Sequence, residues 1–300
     1  MKNILTLLTA AIFMSSCVSE KKVVVAKNKL YGFETQIKKE SAEVLDLRQE
    51  TYKKLQANKI DSNILSLIVK KLPQVTGKLD TAQLLANKVK KILNSEKKTK
   101  WKYRSIVVPV LDSLQKINDQ YAMRLAVYLM IKDGLSVADY KQFNLAAFFG
   151  PGKYQIPEEK AGIAAKSFEP LIDSLMFFAN KYSQYPRTAT VVILGFADGT
   201  GVITGGELYD TLLVKLNKSQ AGKEELNKKI SELRAAELVT QMTNLYLKKA
   251  PGFKETDKPL KIVYIGEGKG EALPISSIKD YTVDDERRRI VLCYWVVLPD

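Results

Sequence analysis

Histidine is missing from this 300-residue chain. That absence removes every Ser-His-Asp or Cys-His catalytic set and every metal site built on imidazole. Cysteine is almost as scarce, with Cys17 and Cys293 alone, too few for a zinc site. A Cys17–Cys293 disulfide is chemically conceivable. Cys293, however, sits in Val291-Leu292-Cys293-Tyr294-Trp295-Val296-Val297, where it reads as a small buried hydrophobe. Acidic side chains are short too: 33 against 47 Lys and Arg, a net charge of +14. The basic residues are mostly lysine and spread along the chain, whereas a nucleic-acid binder concentrates them on one face or motif. Attraction to anionic polymers or lipid headgroups accounts for the excess as well. No pair of acids stands out as the two carboxylates of a glycosidase. The expectation is a non-catalytic protein with no cofactor, no metal and no nucleic-acid partner.

No apolar run is of bilayer length. The longest candidate, residues 4–14, follows Lys2 and precedes Ser15-Ser16-Cys17, which is the layout of a secretory signal. The Met14-Ser15-Ser16-Cys17 junction resembles a relaxed bacterial lipobox. That resemblance implies that residues 1–16 are removed and that Cys17 is acylated, carrying palmitate or a similar chain. An ordinary signal with a chance cysteine is the plainer alternative. Val18 rather than Asp after the cysteine implies, by the same analogy, passage to the outer membrane, with the protein facing the periplasm. Residues 17–31 are lysine-rich and read as a lipidated tether.

Residues 32–149 read as an all-α domain, helical throughout. Phe33, Ile37, Val44, Leu45, Tyr52 and Leu55 lie near heptad spacing and predict one long amphipathic helix. Asp61-Ser62 is a helix-start signal for a second, with Pro73 as its stop, and Asp80-Thr81 starts a third. Two more are expected around residues 105–118 and 119–132, and a short one from Ser136. Gly150-Pro151-Gly152 is a strong breaker, so a second domain is expected over residues 150–300. Its first strand would be Tyr154-Gln155-Ile156-Pro157. A helix carrying Phe168, Leu171, Ile172, Leu175, Met176, Phe178 and Tyr182 would follow.

The informative stretch is residues 191–239. The apolar run Val191-Val192-Ile193-Leu194 suits a buried strand. It ends at Gly195-Phe196-Ala197-Asp198-Gly199-Thr200-Gly201, a glycine-punctuated turn presenting one carboxylate. Downstream, Leu226, Ile230, Leu233 and Leu238 recur at helical spacing around Asn227, Ser231, Arg234 and Ala235. An anionic strand-end turn beside a cationic helix residue can hold a zwitterion.

The turn and helix resemble the G-[HFY]-[TA]-D-x-x-G turn and N-x-x-[LI]-S-x-x-R-A helix of the OmpA-like peptidoglycan-binding family. Two further blocks in order support the likeness: Tyr264-Ile265-Gly266-Glu267-Gly268 to Pro274 is similar to its G-x-G-E-x-x-P strand exit, and Arg288-Arg289-Ile290 to its N-R-R-V. The resemblance covers roughly the last 150 residues. It implies an α/β fold, β-α-β-α-β-β with a mixed sheet backed by helices. It also implies that Asp198 and Arg234 clamp the amino and carboxylate groups of diaminopimelate in the peptidoglycan stem peptide, with Asn227 and Arg288 as further site residues. Ala197 stands in place of the commoner Thr, and Arg287 in place of Asn. The Asp198-to-Arg234 separation leaves a surplus, residues 202–225, whose Leu208, Leu212, Leu213 and Leu216 predict an extra helix over the site. The implied function is an anchor between outer membrane and peptidoglycan. The alternative is a scaffold lipoprotein of an envelope secretion or motility machine, using its helical domain to hold protein partners.

Overall fold

The computed structural model describes residues 18–96, 99–137, 141–144, 149, 153–250, 260–275 and 278–300. The expected signal, the junction resembling a lipobox and Cys17 lie outside the described residues, as does Gly150-Pro151-Gly152. The chain is mixed α/β and separates into two units, Met1–Glu50 with Val69–Leu129, and Thr51–Ile68 with Met130–Asp300.

In the first unit the dominant elements are α1 (Glu20–Gln56) and α2 (Ser62–Leu93). α1 buries Val23, Ala26, Leu30, Phe33, Ile37, Glu40, Val44 and Leu47, alternating steps of three and four. That is the heptad rhythm of a helix seam. Residues from Val23 to Ile37 cluster with Ala82, Ala86, Val89 and Leu93, while Val44 meets Val75 and Leu79. The start of α1 thus faces the end of α2, and the two run antiparallel. The tether expected at residues 17–31 is instead the opening of α1 from Glu20 onward. Val23, Ala26 and Leu30 continue the seam, and the lysines between them face outward.

α2 is one helix where two were expected. Its start is as predicted, with the Ile64 amide donating to Asp61 Oδ1 at 2.9 Å, which satisfies one unpaired amide of the first turn. Pro73 does not stop it. The ring deletes one backbone hydrogen bond, but Leu72 and Val75 on either side are buried and hold the helix together. A short helical turn, Lys100–Lys102, runs through a π-helical stretch, Tyr103–Val107, into α3 (Val108–Asp119). Pro109 has no N–H for the carbonyl four residues back, so the register widens, and the Val108 amide donates to the Tyr103 carbonyl. α4 (Tyr121–Val137) follows.

The second unit is built on a four-stranded mixed sheet, β1 (Lys141–Asn144), β2 (Arg187–Gly195), β3 (Lys261–Gly268) and β4 (Ile290–Pro299), in the order β1-β4-β2-β3. β4 is antiparallel to β1 and β2, and β2 is parallel to β3. Helices α5 (Glu158–Lys181), α6 (Glu207–Leu216) and α7 (Lys223–Lys249) lie between the strands, giving the order β-α-β-α-α-β-β with a first strand other than the one expected. Two expectations fail here. Residues 141–144 are strand rather than helix, held by the β4 backbone (Lys141 opposite Cys293), and residues 154–157 form no strand.

The central strands β2 and β4 are buried nearly throughout. Ala189, Val191, Ile193, Cys293 and Trp295 pack against Phe168, Leu171 and Leu175 of α5 and Leu238 and Met242 of α7. The opposite face, with Val192, Leu292 and Val296, is buried too, and Gly134 of α4 approaches Val296 there. Burial on both faces explains why these strands read as unbroken apolar runs. Cys293 is a free, fully buried thiol whose pKa burial pushes up. β3 is the sheet edge, and its residues alternate between more and less exposed.

Candidate functional site

The turn after β2 is held from three sides. The Phe196 amide donates to the Ile290 carbonyl at 3.0 Å, Ala197 to Gly270 at 2.7 Å and Gly199 to Val283 at 2.6 Å. Helix α7 crosses directly over the strand ends. A Cβ at Gly195 would collide with the Ser231 carbonyl oxygen, and one at Gly268 would stand 2.5 Å from the Glu232 amide nitrogen. Both motif glycines are therefore explained by close approach of the helix backbone rather than by turn conformation. Ser231 completes the junction, accepting from the Gly270 amide at 3.0 Å.

This crossing brings the sequence candidates together. Asp198, Asn227 and Arg234 are all buried. Asn227, Ser231 and Arg234 lie on one row of α7, at i, i+4 and i+7. Arg234, only 8% exposed, is more enclosed than Leu233 beside it. Apolar periodicity alone assigns Leu226, Ile230 and Leu233 to the core. They pack instead with Leu212 of α6, Ala197 and Tyr154 in a separate cluster. The inserted segment is thus anchored on the site helix, and Ala197 faces its apolar cluster.

Asp198 accepts from the Thr200 amide at 3.1 Å through Oδ1, and from the Thr200 hydroxyl at the same oxygen. Its Oδ2 lies 3.2 Å from Arg289 Nε. Arg234 donates Nε–H to the Lys153 carbonyl at 3.1 Å, and its guanidinium lies 5.6 Å from the Phe149 ring centre. Burial pushes the Arg234 guanidinium down to about 10; nearby Asp198 opposes the shift and Arg289 adds to it. It remains cationic at neutral pH. Two arginines around one aspartate leave a local surplus of positive charge at the strand end. Asn227 braces the turn, donating to the Asp198 carbonyl at 3.3 Å and to Glu271 Oε1 at 2.8 Å. Lys223 reaches the Gly199 carbonyl at 2.8 Å and Glu271 at 3.5 Å.

Arg288 is placed differently from expectation. Its guanidinium donates to the carbonyls of Glu271 (2.6 Å), Thr282 (3.3 Å) and Val283 (3.4 Å), clasping the loop before β4. Arg287 takes Asp285 at 2.5 Å, and that hydrogen-bonded pair holds the Asp285 carboxyl down to about 2. Arg289 is the residue that reaches Asp198. Arg288 closes the 3-10 turn Glu286–Arg288 and Arg289 follows in a bend before β4, so no strand signal in the sequence separated them. Phe149 and Lys153 gave no signal either. Among the described residues, no cluster of three His, Cys, Asp or Glu could hold a metal ion.

Comparison of the chain with protein-family models and with characterised proteins finds no match.

Proposed function

We propose that this protein is a non-catalytic lipoprotein of the bacterial envelope, whose sheet unit has the OmpA-like fold and binds the diaminopimelate of peptidoglycan. The observation that carries this reading is the burial of Asp198 beside Arg234 at the end of β2, with Arg289 alongside. An amino-acid end group presents an ammonium and a carboxylate on one carbon. A carboxylate offers about four lone-pair sites, so Asp198 keeps acceptor capacity for the ammonium after Thr200 and Arg289 are served. Among the described residues Arg234 hydrogen-bonds Lys153 through Nε only, which leaves its Nη groups for the ligand carboxylate. The lipid at Cys17 would tie the outer membrane to the wall.

The test is sedimentation with purified peptidoglycan at moderate salt. Each charge-assisted contact contributes roughly 1.5–3 kcal/mol, so Asp198→Ala or Arg234→Ala should weaken binding by tenfold or more while the unit stays folded. Arg234→Lys should not rescue, because an ammonium lacks the planar fork. Nonspecific attraction by the general positive charge would fade with salt and ignore these substitutions. Wild-type binding by both alanine variants would remove the clamp. One observation favours the scaffold reading as well: Tyr31, Leu45 and Tyr52, at multiples of seven residues on α1, are exposed apolar groups that a partner helix could cover.

A further inference from the structure

We infer that one end of the helical unit is a docking surface for an anionic lipid bilayer. Trp101 is 70% exposed, the largest apolar side chain so placed in this unit, and it is flanked by exposed Lys100, Lys102 and Arg104. The same end contains the start of α1. The Tyr103 hydroxyl donates to the Lys22 carbonyl at 3.2 Å, and Val18, Val23, Leu93, Tyr103 and Val107 share one apolar cluster. Lys21 and Lys22 are exposed there, beside the exposed apolar Val24 and Val25. In sequence, the acids of these segments are Glu20 and Glu96.

Tryptophan prefers the depth of lipid headgroups, where its ring is sheltered and its N–H stays wet. Lysine and arginine beside it gain from the negative surface potential of an anionic leaflet. A protein partner would favour a contiguous apolar core with a polar rim; here the exposed apolar side chains, Trp101, Val24 and Val25, are interspersed with lysine and arginine in sequence. The position fits as well. Val18 is at this end, and the residue before it in sequence is Cys17, so an acyl chain there would hold the surface against the membrane. A single acyl chain gives marginal anchoring, and a polybasic patch is the usual second contribution. This docking surface shares the lipid at Cys17 with the proposed function but does not depend on the wall clamp.

The experiment uses the chain from Val18 onward, which contains every described element and no lipid. Vesicles mixing phosphatidylglycerol with phosphatidylcholine should retain it at low salt, and vesicles of phosphatidylcholine alone should not. Trp295 is buried in β4, so a blue shift of tryptophan emission on binding would report Trp101, and Trp101→Phe should abolish it. The triple variant Lys100→Ala, Lys102→Ala, Arg104→Ala should lower partitioning by at least about tenfold with unchanged thermal unfolding, all three side chains being exposed. Asp198→Ala should bind vesicles like the parent chain, so failure of the wall clamp leaves this result intact. Equal binding to neutral vesicles, or undiminished binding by the triple variant, would overturn the proposal. So would capture of a protein that needs Trp101 while vesicles are ignored.

Discussion

The two units solve the same problem, burial of charge, in opposite ways. In the helical unit, Glu40 occupies a seam position of α1 that the heptad rhythm reserves for an apolar residue. Arg124 of α4 meets it there with two contacts, Nε to Oε2 at 2.7 Å and Nη2 to Oε1 at 3.0 Å, and donates Nη1–H to the Ile117 carbonyl at 2.6 Å. Every charge in that cluster has a partner inside the unit. At the sheet end, Arg234 is buried almost as deeply, yet its hydrogen bond among the described residues goes to a backbone carbonyl. Arg288, equally buried in the same unit, also donates to backbone carbonyls and clasps a loop, so what distinguishes Arg234 is the neighbouring Asp198 carboxylate rather than the lack of a bonded acid.

Breaking the matched pair should have the largest effect. Glu40→Ala strands Arg124 in the interior, and removing one partner of a buried pair costs about 3–5 kcal/mol. Thermal unfolding should show the helical unit melting far earlier. Replacing both with methionine should return most of that stability, because the desolvation cost disappears with the charges. An equal loss in the double variant would mean that the pair is held by something other than charge.

A smaller break lies at the sheet end, where contact between backbones replaces charge pairing. Gly195→Ala forces a methyl onto the Ser231 carbonyl, which cannot rotate away, and should cost about 3 kcal/mol. Denaturant titration would measure that. Peptidoglycan sedimentation should fall as well, since α7 can no longer seat Arg234 beside Asp198. Unchanged stability would show that the crossing is looser than its geometry implies.

The smallest effect sharpens the comparison from the helical side. Pro73 lies exposed inside α2. Pro73→Ala restores a helix hydrogen bond, and against the looser unfolded chain it should gain roughly 1 kcal/mol, with wall binding unaltered. A loss of stability on calorimetry would show that the ring is a packing element of the seam.

Much of the sheet unit was legible in advance because its signals are local. An apolar run buried on both faces, a glycine where a helix backbone crosses, and an aspartate in the turn between them are each written in consecutive residues. The strand through Val191–Leu194 and the helix in residues 202–225 follow from that grammar. The start of α2 at Asp61 is of the same kind. By itself, the sequence determined which segments could be strand or helix, and that chemistry without histidine had to rest on carboxylates, lysines and arginines.

Tertiary structure decided the rest, wherever a long-range contact outweighed a local preference. Residues 141–144 sit in a helical context and become β1 because the β4 edge offers backbone partners. Residues 20–31 look like a charged tether, but Val23, Ala26 and Leu30 meet Val89 and Leu93 far along the chain. Pro73 carries a stop signal that its buried neighbours override. Arg288 and Arg289 are indistinguishable as letters; the 3-10 turn and the bend before β4 send one to a loop of carbonyls and the other to Asp198. Local propensities contribute a few tenths of a kcal/mol to about 1 kcal/mol per ordinary residue, whereas burying one large apolar side chain contributes roughly 1.5–3, so packing wins each of these contests.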